Sequence, residues 1–389
     1  MNRKVYYLTR SYAPYDAGGG ALMRRGAVEN LTRLGWDVVV VRPNYESFEE
    51  EFKENVLMVP FKRQHRQKLS SFLERIGCYE DYLDKWVEHA FNLLKDRITS
   101  NDILFATCGG ELGMIKLGAL LKREVGCKFV VNFRDPLNYG YTDGMRRDLK
   151  FHIGRASGQK KYMECADLVL TSSMSYAALL SEKFPHLSHK IKNNYFGYHK
   201  SITCKAKPLD RGDKKLRIAY AGLMSSTQKP EILYEAIKDQ KELDVELYFI
   251  GNSEHYKPIN TIVDPRVTLV ANMPHCEFID FMQKNIDVGF VSLEKDYYGM
   301  CVPSKLYEYI NLGLPIVGAL PKGDAMDIIN DNQYGSAVRF GNIAGLRTCI
   351  EKLTLDEQLN LCKKNVIKDR KQWSMECTIQ EVHRMLQAL

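Results

Sequence analysis

A chain of 389 residues is too long for one ordinary domain and suits two of about 150–200 residues each. Its 45% hydrophobic and 26% charged residues exclude a disordered chain, and the lack of any apolar run of about 18 or more excludes a membrane-spanning helix. The formal net charge of +7 is mild, and the basic residues form no long stripe with interleaved aromatics, so nucleic acid is not the expected partner.

The ten cysteines include no CxxC pair and no His/Cys cluster, which points to reduced thiols in a cytoplasmic protein and to no zinc site. The densest basic run, Lys62 to Lys68, reads either as a solvated segment or as a contact for acidic lipid headgroups at a membrane surface. The N-terminus leads into a strand, not into the apolar core of a signal peptide.

Residues 5–8 form a short apolar run, and Gly18, Gly19 and Gly20 form a turn after it. A helical pattern covers residues 21–34 and ends at Gly35, and residues 37–41 are a continuously apolar strand. Strand, glycine turn, helix and strand make a βαβ unit, and continuous apolarity suits a parallel sheet buried on both faces. Residues 49–97 interrupt the alternation with Phe72, Tyr79, Tyr82, Trp86 and Phe91 at helical spacing. They read as a helical excursion packed on the domain, or as an acceptor-side or membrane-facing lobe.

Strands are then expected at 102–107, 129–132 and 168–171, with helices at 112–122 and 175–183. After a polar, basic connection at 200–215 the pattern restarts. Strands are expected at 218–220, 245–250, 267–269, 288–291 and 316–318, and helices at 233–238, 278–283 and 306–312. The expected fold class is α/β, with two Rossmann-like doubly wound domains whose strand ends face a cleft. The domains are placed at residues 1–200 and 205–373, with a return helix at 374–389.

Two motifs carry chemistry. Gly18, Gly19 and Gly20 stand between a strand and a helix, where bare backbone and free N–H groups can approach a phosphate, and Arg24 and Arg25 follow one turn on. Alone, this is either an anion site or a plain tight turn. It is neither a P-loop nor a GxGxxG fingerprint. In the second motif Pro303 precedes a helix whose first turn holds Ser304 and Lys305, a good cradle for a diphosphate. Glu308 lies on the same face, able to accept hydrogen bonds from ribose hydroxyls or to act as a helix-capping partner.

The run Pro303-Ser304-Lys305-x-x-Glu308-Tyr309-x-x-x-Gly313-x-Pro315 resembles the donor motif of the retaining GT-B glycosyltransferases of family four, in the branch that builds bacterial surface polysaccharides. Tyr12-Ala13-Pro14 with the three glycines, Asn132-Phe133-Arg134-Asp135-Pro136, Ala166 to Ser173, Ile218 to Gly222 and the segment from Trp373 to Leu386 are similar to further segments in the same order. The resemblance implies transfer of a hexose from a UDP- or GDP-linked sugar to a saccharide or lipid-linked acceptor by a cytoplasmic protein, either free or associated with the cytoplasmic face of a membrane.

On that resemblance Gly18, Gly19, Gly20, Gly222, Ser304, Glu308 and Met300 are donor-side positions, and Arg24, Glu111 and Arg134 lie on the acceptor side. Lys305 and Lys229 would neutralise the leaving diphosphate, and Asp135 would orient or deprotonate the acceptor. Asp135 also reads as a turn residue paired with Arg134. There is no DxD motif, so neither a metal nor a cofactor is expected. Met300 stands eight residues before Glu308, where many relatives carry a first glutamate, and Leu223 follows Gly222 where a basic residue is usual. These departures keep open a degenerate protein that binds a partner glycosyltransferase. His275, after Met273-Pro274, reads as a structural turn residue.

Overall fold

A computed structural model describes residues 3–16, 19–47, 49–61, 67–137, 147, 151–199 and 215–389. Gly18 and most of the basic run, Lys62 to Arg66, fall outside the described residues. The chain divides into two compact units, Met1–His199 with Met375–Leu389, and Lys200–Ser374.

The first unit opens with β1 (Lys4–Leu8), α1 (Gly19–Arg33), β2 (Asp37–Asn44), β3 (Glu51–Lys53) and β4 (Val56–Pro60). It continues with α2 (Gln67–Arg75), α3 (Asp84–Leu94), β5 (Ile103–Cys108), α4 (Gly113–Val125) and β6 (Lys128–Phe133). It closes with α5 (Ile153–Met163), β7 (Leu168–Thr171), α6 (Met174–Lys183) and β8 (Ile191–Asn193). The strands lie in the order β3-β4-β2-β1-β5-β6-β7-β8. Every pair is parallel except β3 with β4. All six residues of β5 are buried, as a strand with neighbours on both sides and helices on both faces requires.

Residues 49–97 differ from the helical expectation. They begin with the antiparallel β3–β4 hairpin, turned by Glu54 and Asn55 at φ 50° and 61°. Two consecutive left-handed residues are the geometry of a tight hairpin turn, and Glu-Asn lacks the glycine that normally advertises it. Only then do α2 and α3 follow. Trp86 on α3 is buried and donates its indole N–H to Val59 O at 3.2 Å, whereas Phe72 on α2 is exposed.

The last helix belongs to this unit. Residues Met375–Gln387 place Met375, Ile379, Val382 and Leu386 in one core cluster with Val5, Tyr7, Val28 and Leu31. Asn194 donates to Thr378 O at 2.8 Å and Trp36 to His383 Nδ1 at 2.9 Å, which fixes the helix against two parts of the unit.

The second unit contains β9 (Leu216–Ala221), α7 (Ile232–Ile237), β10 (Val245–Ile250), α8 (Lys257–Asn260), β11 (Val267–Val270) and α9 (His275–Asn285). It continues with β12 (Val288–Ser292), α10 (Ser304–Leu312), β13 (Ile316–Leu320), α11 (Asp324–Asp331), β14 (Gly335–Arg339), α12 (Ile343–Thr354) and α13 (Asp356–Asp369). The final helix of the first unit is α14. The sheet order is β11-β10-β9-β12-β13-β14, parallel throughout. Strand β14 and helices α11 to α13 were not anticipated. The sequence of β14, Gly-Ser-Ala-Val-Arg, is small and polar because it forms a half-exposed edge.

Helix α10 is locked to this sheet by Tyr309. Its buried hydroxyl accepts from Ala221 N–H at 3.0 Å and stands 3.2 Å from Ala219 O and 3.3 Å from Phe290 O. The ring lies over Gly289, where a Cβ would come within 2.4 Å of it. Gly289→Ala is therefore expected to destabilise by about 1–3 kcal/mol through overpacking. Tyr309→Phe should cost about 1–3 kcal/mol by stripping a partner from buried backbone. Urea unfolding of each variant checks both values.

Candidate functional site

In each unit the strand order reverses once, between β1 and β5 in the first and between β9 and β12 in the second. Loops leaving the carboxyl ends of strands diverge at such a reversal, and the space between them is where doubly wound sheets bind ligands.

In the second unit, β9 runs into Gly222 at φ 112° and β10 into Gly251 at φ 141°. A side chain at Gly251 would collide with Gly222 O at 2.5 Å, and one at Gly222 would meet Lys305 Cε at 2.9 Å. The glycines thus let two strand ends and the first turn of α10 come together. Pro303, extended at φ −60° and ψ 135°, begins that helix, and no side chain caps it. Ser304 is exposed in the first turn. The Lys305 ammonium donates to Tyr220 Oη at 3.0 Å and sits 4.5 Å from the centre of the Tyr220 ring. Among the described residues no carboxylate lies within ion-pair distance of it, and burial draws its pKa down to about 8. An uncompensated ammonium beside an uncapped helix N-terminus is a place prepared for an anion.

Glu308 lies one turn along α10. Its Oε1 is 3.2 Å from Nε2 of His275, the first residue of α9. That hydrogen bond raises the pKa of His275 against the opposing effect of burial. The histidine read as a turn residue therefore touches the carboxylate assigned to ribose. Its partner is distant in sequence, so no local spacing advertises the contact. Lys229, at φ 43°, forms an ion pair with Glu294 at 2.5 Å, just beyond β12. Its charge is therefore already balanced within the chain. Met300 ends the turn Asp296–Met300, which Gly299 lets press against the Lys322 carbonyl.

In the first unit the candidate residues converge on Gly109, just past β5. A Cβ built there would stand 3.2 Å from Arg24 Nη2, 3.8 Å from Asp135 Oδ2 and 3.9 Å from Glu111 Oε2. Arg24 is 3% exposed and donates to Ser11 Oγ at 2.6 Å. Glu111 is buried, with Oε2 ion-paired with Arg10 Nε and accepting from Gly109 N–H, both at 3.2 Å. Arg134 donates to Gly20 O at 2.9 Å and covers the Phe196 ring at 4.3 Å, and burial followed by Arg24 pulls its pKa down to about 10. Gly19 and Gly20 open α1 beside this group, whereas Arg25 turns away to Glu29 at 2.8 Å. The sequence did not single out Gly109, Ser11, Arg10 or Tyr220. Among the described residues no group of three or more His, Cys, Asp or Glu side chains could hold a metal ion, and no helix is long and apolar enough to cross a membrane.

No protein-family model matches the chain, and no curated protein matches it. Solved structures do. HepE from Anabaena in complex with UDP and glucose is similar at TM-score 0.68 and 16% identity, over 100% of both chains. The lipopolysaccharide outer core galactosyltransferase WaaB is similar at 0.69 and 14% identity, over 99% of this chain and 100% of that one. The α,α-trehalose 6-phosphate synthase from Burkholderia multivorans is similar at 0.69 and 12% identity, over 100% of this chain and 97% of that one, and an E. coli protein bound with UDP-2-fluoro glucose at 0.70 and 11% identity, over 99% of each. The fold is GT-B. Its two Rossmann-like units are those read from the alternating pattern of the sequence.

The Lys305 geometry has a pH consequence. Between pH 7 and 9 the ammonium loses its proton, so affinity for a fixed-charge anion such as sulfate should fall roughly tenfold in the wild type and stay level in Lys305→Arg, whose cation persists. Stability runs the other way. The depressed pKa means that the buried charge opposes folding below about 8, and the penalty fades toward 10.5. Titration calorimetry at the two pH values reads the first effect and urea unfolding the second.

Proposed function

We propose that this chain is a glycosyltransferase that transfers a hexose from a nucleoside diphosphate sugar to a saccharide or lipid-linked acceptor in surface polysaccharide biosynthesis, with retention of anomeric configuration. The observation that carries it is the Lys305 ammonium, held at the uncapped start of α10 with no carboxylate within ion-pair distance among the described residues, on a GT-B fold. Nucleotide-sugar complexes among similar structures support a UDP-linked donor, and the family-four motif around Glu308 supports retention.

In this reading the leaving nucleoside diphosphate develops negative charge that Lys305, Ser304 and the helix terminus stabilise without a metal ion. Glu308 receives the ribose hydroxyls and exchanges its contact with His275 for them. The acceptor attacks the face from which the diphosphate leaves, so no enzymic nucleophile is needed. Asp135 orients or deprotonates the acceptor hydroxyl. Lys229 contributes less than the motif implies, because Glu294 already neutralises it. The protein acts in the cytoplasm, with residues 62–68 as a contact for acidic lipid.

A second reading rests on Met300, Leu223 and the Lys229–Glu294 pair: a donor site that binds nucleotide without turnover, in a protein that partners an active enzyme. Calorimetric titration with UDP, GDP and ADP in EDTA decides whether the donor site exists. One nucleotide should bind the wild type, and Glu308→Ala and Lys305→Ala should each weaken it by about tenfold or more. Failure of all three to bind would remove the donor reading. Hydrolysis or transfer from the matching sugar nucleotide, slowed roughly 10²–10³-fold in Lys305→Ala, separates the enzyme from the inactive partner.

A further inference from the structure

We infer that the first unit carries an anion-binding pocket around Gly109, and that the acceptor therefore bears a phosphate or carboxylate group close to the hydroxyl that is glycosylated. The assignment to an acceptor rests on the function proposed above, whereas the pocket itself rests only on the first unit.

Three observations lead to it. Arg24 is 3% exposed, its Nε has no hydrogen-bond partner, and among the described residues its guanidinium forms no ion pair. A guanidinium is rarely buried with a serine hydroxyl as its one hydrogen-bond partner among the described residues, because its desolvation is then poorly compensated. Next, a second guanidinium stands close by. Arg134 has a carbonyl and an aromatic face as neighbours, and the Arg24 charge makes its own harder to keep. Two like charges held near each other are stabilised when an anion joins them. Finally, Gly109 at the end of β5, beside the β1–β5 reversal, brings no side chain between these groups: the position its Cβ would take lies 3.2 Å from Arg24 Nη2, with Asp135 Oδ2 at 3.8 Å and Glu111 Oε2 at 3.9 Å.

The carboxylates sharpen the ligand class. Glu111 is fully buried, with Oε2 engaged by Arg10 and Gly109, while Oε1 has no hydrogen-bond partner. A ligand that brings an anionic group to Arg24 and a hydroxyl to the exposed Asp135, whose Oδ2 lies 3.8 Å from the same Gly109 position, engages both charges. A sugar phosphate or an acidic sugar has that combination, and a neutral sugar does not. A free anion would satisfy only the arginines.

The test uses the full chain and defined probes: inorganic phosphate, glucose 6-phosphate, glucuronate, glucose and UDP, each titrated calorimetrically. The variants are Gly109→Ala, Arg24→Gln and Lys305→Ala. Gly109→Ala is the discriminating one. Gly109 has no left-handed φ, and its new methyl would meet first the tip of the Arg24 side chain, so the fold should be kept while the pocket is filled. Glucose 6-phosphate or glucuronate should bind more tightly than glucose, and Gly109→Ala and Arg24→Gln should each weaken that binding by about tenfold or more, while Lys305→Ala leaves it unchanged. UDP should show the reverse pattern. Wild-type protein that binds neither anionic sugar, or that binds one equally well in Gly109→Ala, overturns the pocket. UDP affinity that falls with Gly109→Ala as much as the sugar anions do would give the arginines to the donor diphosphate and overturn the acceptor assignment. Anionic sugars binding as expected while no nucleotide binds would leave the pocket standing and remove the donor reading alone.

Discussion

A half-buried ammonium with no carboxylate partner among the described residues is the feature on which the second unit turns. Withdrawing Lys305 from water is costly, and a hydroxyl and a ring face return only part of what is lost. A sequence selected for stability alone would place a carboxylate there or remove the lysine. The arrangement makes physical sense when an anionic ligand completes it, and burial alone draws the lysine pKa down to about 8.

The helix that carries that lysine is fixed by a few contacts. Tyr309 fixes α10 to β9 and β12 with a single hydroxyl, and Gly289 makes room for its ring. Gly222 and Gly251 adopt backbone conformations closed to other residues so that the strand ends can approach the helix. The first unit repeats the logic with different chemistry. There the glycine is Gly109 after β5, and the unsatisfied cation is Arg24. In both units the charge stands beside the reversal of strand order, the one place in a doubly wound sheet where loops part.

The alternation of apolar runs and helical patterns made both sheets legible, because strands buried on two faces have little freedom in composition. Residues 245–250 and 168–171 were found at their observed limits for that reason. The β3–β4 hairpin was not legible, since its turn uses Glu54 and Asn55 rather than glycine and β3 is exposed. Within the candidate site, Ser304, Lys305 and Glu308 could be grouped because helical spacing relates them. The contacts of Glu308 with His275 and of Lys229 with Glu294 join residues far apart in the chain. No pattern of spacing encodes such pairs, so a lysine expected to be free for a phosphate is found already neutralised.

The proposed donor site is defined by where a nucleoside diphosphate binds. A crystal structure of the protein with UDP measures it. We expect the diphosphate at the first turn of Ser304–Leu312, within hydrogen-bond distance of Lys305 Nζ and Ser304, and the ribose hydroxyls on Glu308 in place of His275. A nucleotide bound elsewhere, with Lys305 still contacting only Tyr220 and Glu308 still paired with His275, would contradict it.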